Sequence, residues 1–211
     1  MTGKIDLSLY MIVDCDFLSM KKRPWKSVLV PALRAGVTAV QLRCKSCGKK
    51  EFLRMALLVK RTLKKYRVPL IINDNVFIAK RSGAAGAHIG TCDMPYMEAR
   101  RLLGRSAIIG VSASTEAEAR AAGKTSADYV GLGPVFRTPN KKTRPIPFHR
   151  LKKILSGLNL PVVAIGGIKE YNIRALKAAG FKNFCFISEI SGARNIFDKV
   201  KNLKERINDP A

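Results

Sequence analysis

Short apolar runs recur along the chain, each followed by a stretch whose apolar positions fall at helical spacing, the pattern of successive parallel β/α units. The predicted strands are Leu9 to Val13, Thr38 to Arg43, Leu70 to Asn73, Gly86 to Ile89, Ala107 to Val111, Tyr129 to Gly133, Pro161 to Ile165 and Phe184 to Ile187. The predicted helices run over Trp25 to Ala35, Lys50 to Tyr66, Val76 to Ser82, Met94 to Leu103, Thr115 to Ala122, Phe148 to Leu155, Tyr171 to Ala179 and Ala193 to Asn208. Helix ends at Gly36, Gly83 and Gly180 share a cation in the last turn and a glycine just beyond it, which stops the helix and feeds the next strand. Eight strand–helix pairs predict an α/β protein, a (β/α)8 TIM barrel formed by residues 1–211 as one domain. A doubly wound open sheet shares the alternation and is the competing architecture.

Composition narrows the class. No apolar run approaches the roughly 20 residues of a membrane span, and the N-terminal stretch lacks a basic segment leading into an apolar one. A cytoplasmic protein without a membrane partner is the expectation. Five cysteines at irregular spacing do not read as a disulfide framework, and Cys44 and Cys47 read as an incidental pair in a loop rather than as half of a zinc or redox motif. The balance of 39 Lys+Arg against 15 Asp+Glu gives a formal net charge of +24. Such a surface attracts anions, but the cations are scattered and no basic arm interleaved with aromatics is present. A small anionic ligand fits this pattern better than nucleic acid, and a homo-oligomer is compatible with it.

In a β/α barrel the chemistry gathers where strands end. Gln41, Arg43 and Lys45 alternate at the end of the second strand, so all three share one face. Two cations projecting there ask for an anionic ligand. Asn73 and Asp74 end the third strand and Asp93 follows the fourth; in a chain so poor in acids, two carboxylates beside a cationic cluster suit Mg²⁺ on a diphosphate. The competing reading for Asp74 and Asp93 is helix capping. His88, inside the fourth strand, reads as a satisfied interior residue. A long loop opens with Gly131 and Gly133 and carries Thr138 and Lys141, suited to phosphate. Gly166 and Gly167 after the seventh strand, and Ile187 and Ser188 after the eighth, fall where barrels bind phosphate.

As a set these segments resemble the thiamine phosphate synthase family in order and spacing. The segments are Leu9 to Asp14, Val40 to Lys45, Ile71 to Asp74, His88 to Asp93, Ile109 to Ser112, Gly133 to Lys141, Ala164 to Ile168 and Ile187 to Ile190. The resemblance implies a transferase of thiamine biosynthesis that couples hydroxymethylpyrimidine diphosphate to a thiazole phosphate and releases pyrophosphate. It implies Gln41, Arg43, Lys45, Asn73, Ser112 and Lys141 for the pyrimidine diphosphate, with Arg43, Lys45, Ser112 and Lys141 serving the chemistry. It also implies Asp74 and Asp93 for Mg²⁺, and Thr138, Gly167, Ile187 and Ser188 for the thiazole phosphate.

The chain departs from that family at five places. Cys44 replaces a usual Glu, Thr91 a Gln, Cys92 an acid, Ser114 a His and Asn140 a Thr. These changes keep two other readings open. One is a thiazole tautomerase-like paralogue, which wants a His at position 114. The other is a basic barrel that binds anionic ligands or nucleic acid without catalysis.

Overall fold

A computed structural model describes residues 5–138 and 144–209. Its eight strands are β1 (Leu9–Asp14), β2 (Ala39–Arg43), β3 (Leu70–Asn73), β4 (Gly86–Ile89), β5 (Ile108–Ala113), β6 (Tyr129–Leu132), β7 (Val162–Ile165) and β8 (Asn183–Phe186). They are parallel, follow one another in chain order and close, with Met11 of β1 paired to Phe186 of β8. The TIM barrel is confirmed and the open sheet is not what forms. Strand β5 runs two residues beyond its predicted end, which brings Ser112 into the strand and onto its inner face.

The longer helices are α2 (Trp25–Ala35), α3 (Lys49–Lys64), α4 (Val76–Ser82), α5 (Tyr96–Leu103), α6 (Glu116–Gly123), α7 (Phe148–Ser156), α8 (Ile173–Ala178) and α10 (Ile196–Asn208); two short ones, α1 (Cys15–Met20) and α9 (Ser188–Ser191), follow β1 and β8 directly. Both short helices were absent from the sequence prediction. Three predicted helices begin late for local reasons. Pro95 keeps Met94 out of α5. Asn195 accepts from the Asp198 amide at 3.2 Å and so starts α10 at Ile196. The segment before α8 is a 3-10 turn over Glu170–Asn172. Among the described residues no helix is long and apolar enough to cross a membrane.

Period-two alternation divides the buried side chains between two compartments. Val13, Val40, Leu42, Ile72, Val130 and Phe184 point outward and pack beneath the helices. Tyr10, Ile12, Ala39, Ile71, Tyr129, Val163 and Cys185 point inward and fill the barrel. Tyr129 and His88 fit inside so narrow a ring because glycines face them. A Cβ on Gly110 would lie 2.1 Å from the Tyr129 ring, and one on Gly131 would lie 2.9 Å from His88. Gly86 is tighter still, its Cβ position 1.7 Å from the Ile108 carbonyl oxygen, where backbone rather than a movable side chain stands in the way.

Replacing Gly86→Ala is expected to destabilise the protein by at least the roughly 1–3 kcal/mol typical of overpacking. Gly48→Ala, which meets nothing within 4 Å, should stay within about 0.5 kcal/mol of the parent. Urea unfolding of both variants checks this, and equal midpoints would contradict the packing described.

Candidate active site

At the C-terminal end of the barrel lies a cavity of about 400 Å³. Its lining includes Gln41, Arg43, Lys45, Asn73, Asp74, Asp93, Ser112, Thr138, Gly167, Ile187 and Ser188. Every candidate residue drawn from the sequence thus meets in one place, apart from Lys141, which with Asn140 lies outside the described residues. The reason is geometric: Gln41, Asn73, Ser112 and His88 are inward positions of adjacent strands, and Lys45, Asp74 and Asp93 continue the same rim.

The cations at the rim are held in place. Arg43 Nη1 donates to Asp14 Oδ2 at 2.6 Å, and the β1–β2 register sets these two residues side by side. Asp14 Oδ1 meanwhile accepts from the amides of Asp16 and Phe17, so the same carboxylate caps α1 and orients the guanidinium. Lys45 Nζ stands 3.4 Å from Asp74 Oδ2. These ion pairs satisfy part of the cationic charge that the sequence alone left waiting for a ligand. Counted among the described lining residues, two cations face four carboxylates: Arg43 and Lys45 against Asp14, Asp74, Asp93 and Glu189.

Neither Asp74 nor Asp93 caps a helix. Asn75 Oδ1 caps α4 by accepting from the Ile78 amide at 2.9 Å. Asp93 Oδ2 accepts from the Gly90 amide at 2.7 Å, which closes its own loop, and α5 starts from Pro95 without a side-chain cap. Asp74 sits at φ 62, a left-handed backbone that a non-glycine residue rarely adopts. Burial, and then the proximity of Asp93, push the Asp74 carboxyl above the usual carboxylate range, while Lys45 opposes the shift. Glu189 goes the other way: burial raises it, but hydrogen bonds from Lys169, Lys199 and the Glu170 amide outweigh burial and hold it below the usual range.

Beneath the cavity runs a chain of hydrogen bonds. Gln41 Nε2 donates to Tyr10 Oη at 2.9 Å, Tyr10 and Tyr129 share a 2.9 Å bond, Tyr129 Oη lies 3.1 Å from His88 Nδ1, and His88 Nε2 lies 2.9 Å from Ser112 Oγ. Burial raises both phenols far above their ordinary value, so both keep their protons. The chain links Gln41 on one side of the barrel to Ser112 on the other through two protonated phenols and the His88 imidazole. His88 is the interior residue that the sequence suggested, and it also forms part of the floor of the site.

Gly166 and Gly167, at φ 97 and 68, use backbone angles open to glycine. A Cβ on Gly167 would stand 2.7 Å from the Arg137 carbonyl oxygen, and the Phe136 amide donates to the Gly166 carbonyl at 3.0 Å. The two glycines therefore let the loop after β6 lie against the turn after β7, and this puts Thr138 and Gly167 on one wall. Outside the rim, burial and the nearby Asp14, Asp16 and Glu51 hold the Cys15 thiol up at about 11.

The family model for thiamine monophosphate synthase matches residues 9–190. The chain belongs to the thiamine monophosphate synthase family. It is 40% identical over 206 residues to the thiamine-phosphate synthase of Clostridium tetani, covering 97% of this chain and 98% of that protein. To the thiamine-phosphate synthase of Methanobrevibacter smithii it is 40% identical over 202 residues, covering 95% of each. Among solved structures, thiamine phosphate pyrophosphorylase from Pyrococcus furiosus superposes with a TM-score of 0.87 at 31% identity, covering 97% of this chain and 96% of that one. The chain is accordingly an enzyme, a transferase of the thiamine monophosphate synthase family.

Sequence reasoning missed Asp14, Tyr10 and Tyr129 as parts of this family member's site. A signal existed for Asp14, because an acid closing an apolar strand on the inward parity of Tyr10 and Ile12 belongs at the mouth. The tyrosines gave none, since an inward aromatic reads as core. Asp14→Asn is expected to cost about 2 kcal/mol, less than for a fully buried pair because Arg43 is partly exposed. Adding Arg43→Met to it should recover much of that loss. Urea unfolding across the double-mutant cycle measures the coupling, and additive losses would mean that the pair is energetically idle.

Proposed function

We propose that the chain joins hydroxymethylpyrimidine diphosphate to a thiazole phosphate, releasing pyrophosphate and forming thiamine phosphate, as a Mg²⁺-dependent cytoplasmic enzyme. The observation that carries this reading is the convergence of Arg43, Lys45, Asn73, Asp74, Asp93 and Ser112 on one cavity in a member of the family. Asp74 and Asp93 fit the ion. Their carboxylates are close enough to raise Asp74, capping claims neither, and an octahedral Mg²⁺ that keeps waters and phosphate oxygens needs only one or two protein carboxylates. When bound there, the ion would supply positive charge to the diphosphate oxygens.

The chain's own groups divide the remaining work. Arg43, steered by Asp14, presents its other N–H groups to the diphosphate, and Lys45 adds a second cation. Asn73 and the Ser112 hydroxyl offer polar contacts from the floor and wall, and the family pattern adds Lys141. The thiazole phosphate falls to Thr138, Gly167, Ile187 and Ser188. The reaction is then a dissociative displacement: the bond between the pyrimidine methylene and the diphosphate breaks with its electron pair leaving on pyrophosphate, and the thiazole nitrogen captures the methylene cation.

The tautomerase-like reading is disfavoured by the side chains present. Ser114 lines the cavity where an imidazole would be wanted, and the imidazole of His88 is engaged at both nitrogens, by Tyr129 and Ser112.

Purified protein given Mg²⁺ and both substrates should release pyrophosphate and thiamine phosphate together, with product lost on adding EDTA. Arg43→Ala should lower kcat/KM by about 100-fold or more, the scale of losing one preorganised charge donor. Asp74→Ala should raise the Mg²⁺ concentration needed for half-maximal rate. Product that persists in EDTA would remove the metal from the proposal. Folded protein that makes no product would overturn the assignment of substrates.

A further inference from the structure

The Cys44–Cys47 pair, expected to be incidental, has a third thiol beside it. Asp14 of β1 is in register with Arg43 of β2, both side chains turned into the barrel. The next residue of each strand, Cys15 and Cys44, therefore turns outward at the rim. The turn after β2 brings Cys47 back to them, with a Cα–Cα distance of 5.6 Å between Cys44 and Cys47, which the structure pairs as a disulfide. All three sulfurs lie within 4.8 Å of one another, and among the described residues this is the one such group of three metal-ligating side chains.

We propose that Cys15, Cys44 and Cys47 form a thiolate site for a thiophilic divalent cation, zinc foremost, on the outer side of the rim behind Arg43 and Lys45. Zinc holds thiolates at about 2.3 Å, which places sulfurs of a tetrahedron about 3.8 Å apart, a spacing that side-chain rotation reaches from this cluster. Two ligands come from a C-x-x-C turn, the spacing of zinc knuckles, and the third comes from the neighbouring strand.

A disulfide between Cys44 and Cys47 is the competing use of the same sulfurs, and it gives Cys15 no part. Asp16 is already committed to the turn, accepting from the Lys45 and Ser46 amides and the Ser46 hydroxyl, so the fourth metal position falls to water. A bound ion ties the start of α1 to the turn that carries Lys45, and so steadies that cation from behind. None of this depends on the reaction proposed for the cavity.

The test uses the full chain, reduced and stripped of metal, titrated with Co²⁺ and then Zn²⁺. One equivalent of Co²⁺ should bring in thiolate-to-metal charge-transfer absorption, which Zn²⁺ then abolishes. Cys15→Ser and, separately, Cys47→Ser should each weaken Co²⁺ binding by at least about 10-fold, the loss that even outer-shell partners of a metal site cause. Cys92→Ser, an exposed thiol outside the cluster, should leave the bands unchanged. Zn²⁺ should raise the Tm of the parent chain and not that of Cys15→Ser. Absence of charge-transfer bands in the reduced chain would overturn the site, as would bands indifferent to Cys15→Ser. So would thiol titration that still finds Cys44 and Cys47 joined under reductant.

Discussion

Closing parallel strands into a ring fixes which way every strand residue faces, and the site follows from that constraint. With no free edge, a strand cannot slip by one residue without turning its apolar outer face into the barrel. The register that pairs Asp14 with Arg43 is therefore held by the packing of Met11, Val13, Val40 and Leu42 under the helices. An ion pair at the rim costs little extra ordering when the strands that carry it are already locked. The glycines at 110 and 131 come from the same geometry. A ring this narrow holds Tyr129 and His88 only if facing positions give up their side chains. The hydrogen bonds that join Tyr129, His88 and Ser112 are thus a consequence of how the interior is filled.

Most of the fold was legible because short apolar strands recur between helical stretches, and helices such as α2 and α4 stop at a glycine. What escaped were α1 and α9, six and four residues long, too short for a helical period to show; α1 buries only Leu18. The candidate residues were legible for a different reason. Polar side chains at the inward parity of a strand end have no business in a barrel core, so Gln41, Arg43 and Asn73 stand out. Residues that do belong in a core are silent, which is why Tyr10 and Tyr129 gave no hint. The Cys15 cluster was hidden by distance along the chain. Nothing in sequence spacing joins residue 15 to residue 44; only the register of two neighbouring strands does.

Parity also sorts the departures from the family pattern. Cys44 points outward into the layer beneath the helices, so its exchange for an acid leaves the cavity wall unchanged. Thr91, Cys92 and Ser114 do line the cavity. Each is smaller or less polar than the residue the family pattern has there, so they change the shape and hydrogen bonding of the wall. Arg43, Lys45, Asp74 and Asp93 themselves keep the family pattern. Loss of polar groups from such a wall bears first on which atoms of a ligand are recognised there.

The net charge of +24 does not originate in the site. The described lining carries more carboxylates than cations, whereas the outer face of α3 alone presents Lys49, Lys50, Arg54, Lys60 and Arg61 to solvent. The protein therefore has a positive far field around a mouth that is locally acidic. A field of that sign draws diphosphates and monophosphates toward the surface and is screened over about 10 Å at 0.1 M salt. At the mouth, the diphosphate of the proposed reaction would meet Asp14, Asp74, Asp93 and Glu189 as well as the cations. Arg43 and Lys45 are already partnered by two of those carboxylates, so their charge alone is a weak match for a diphosphate. A divalent cation held by Asp74 and Asp93 would offset that excess of carboxylates, and for this reason the acidic lining suits the metal-dependent reading proposed for the site.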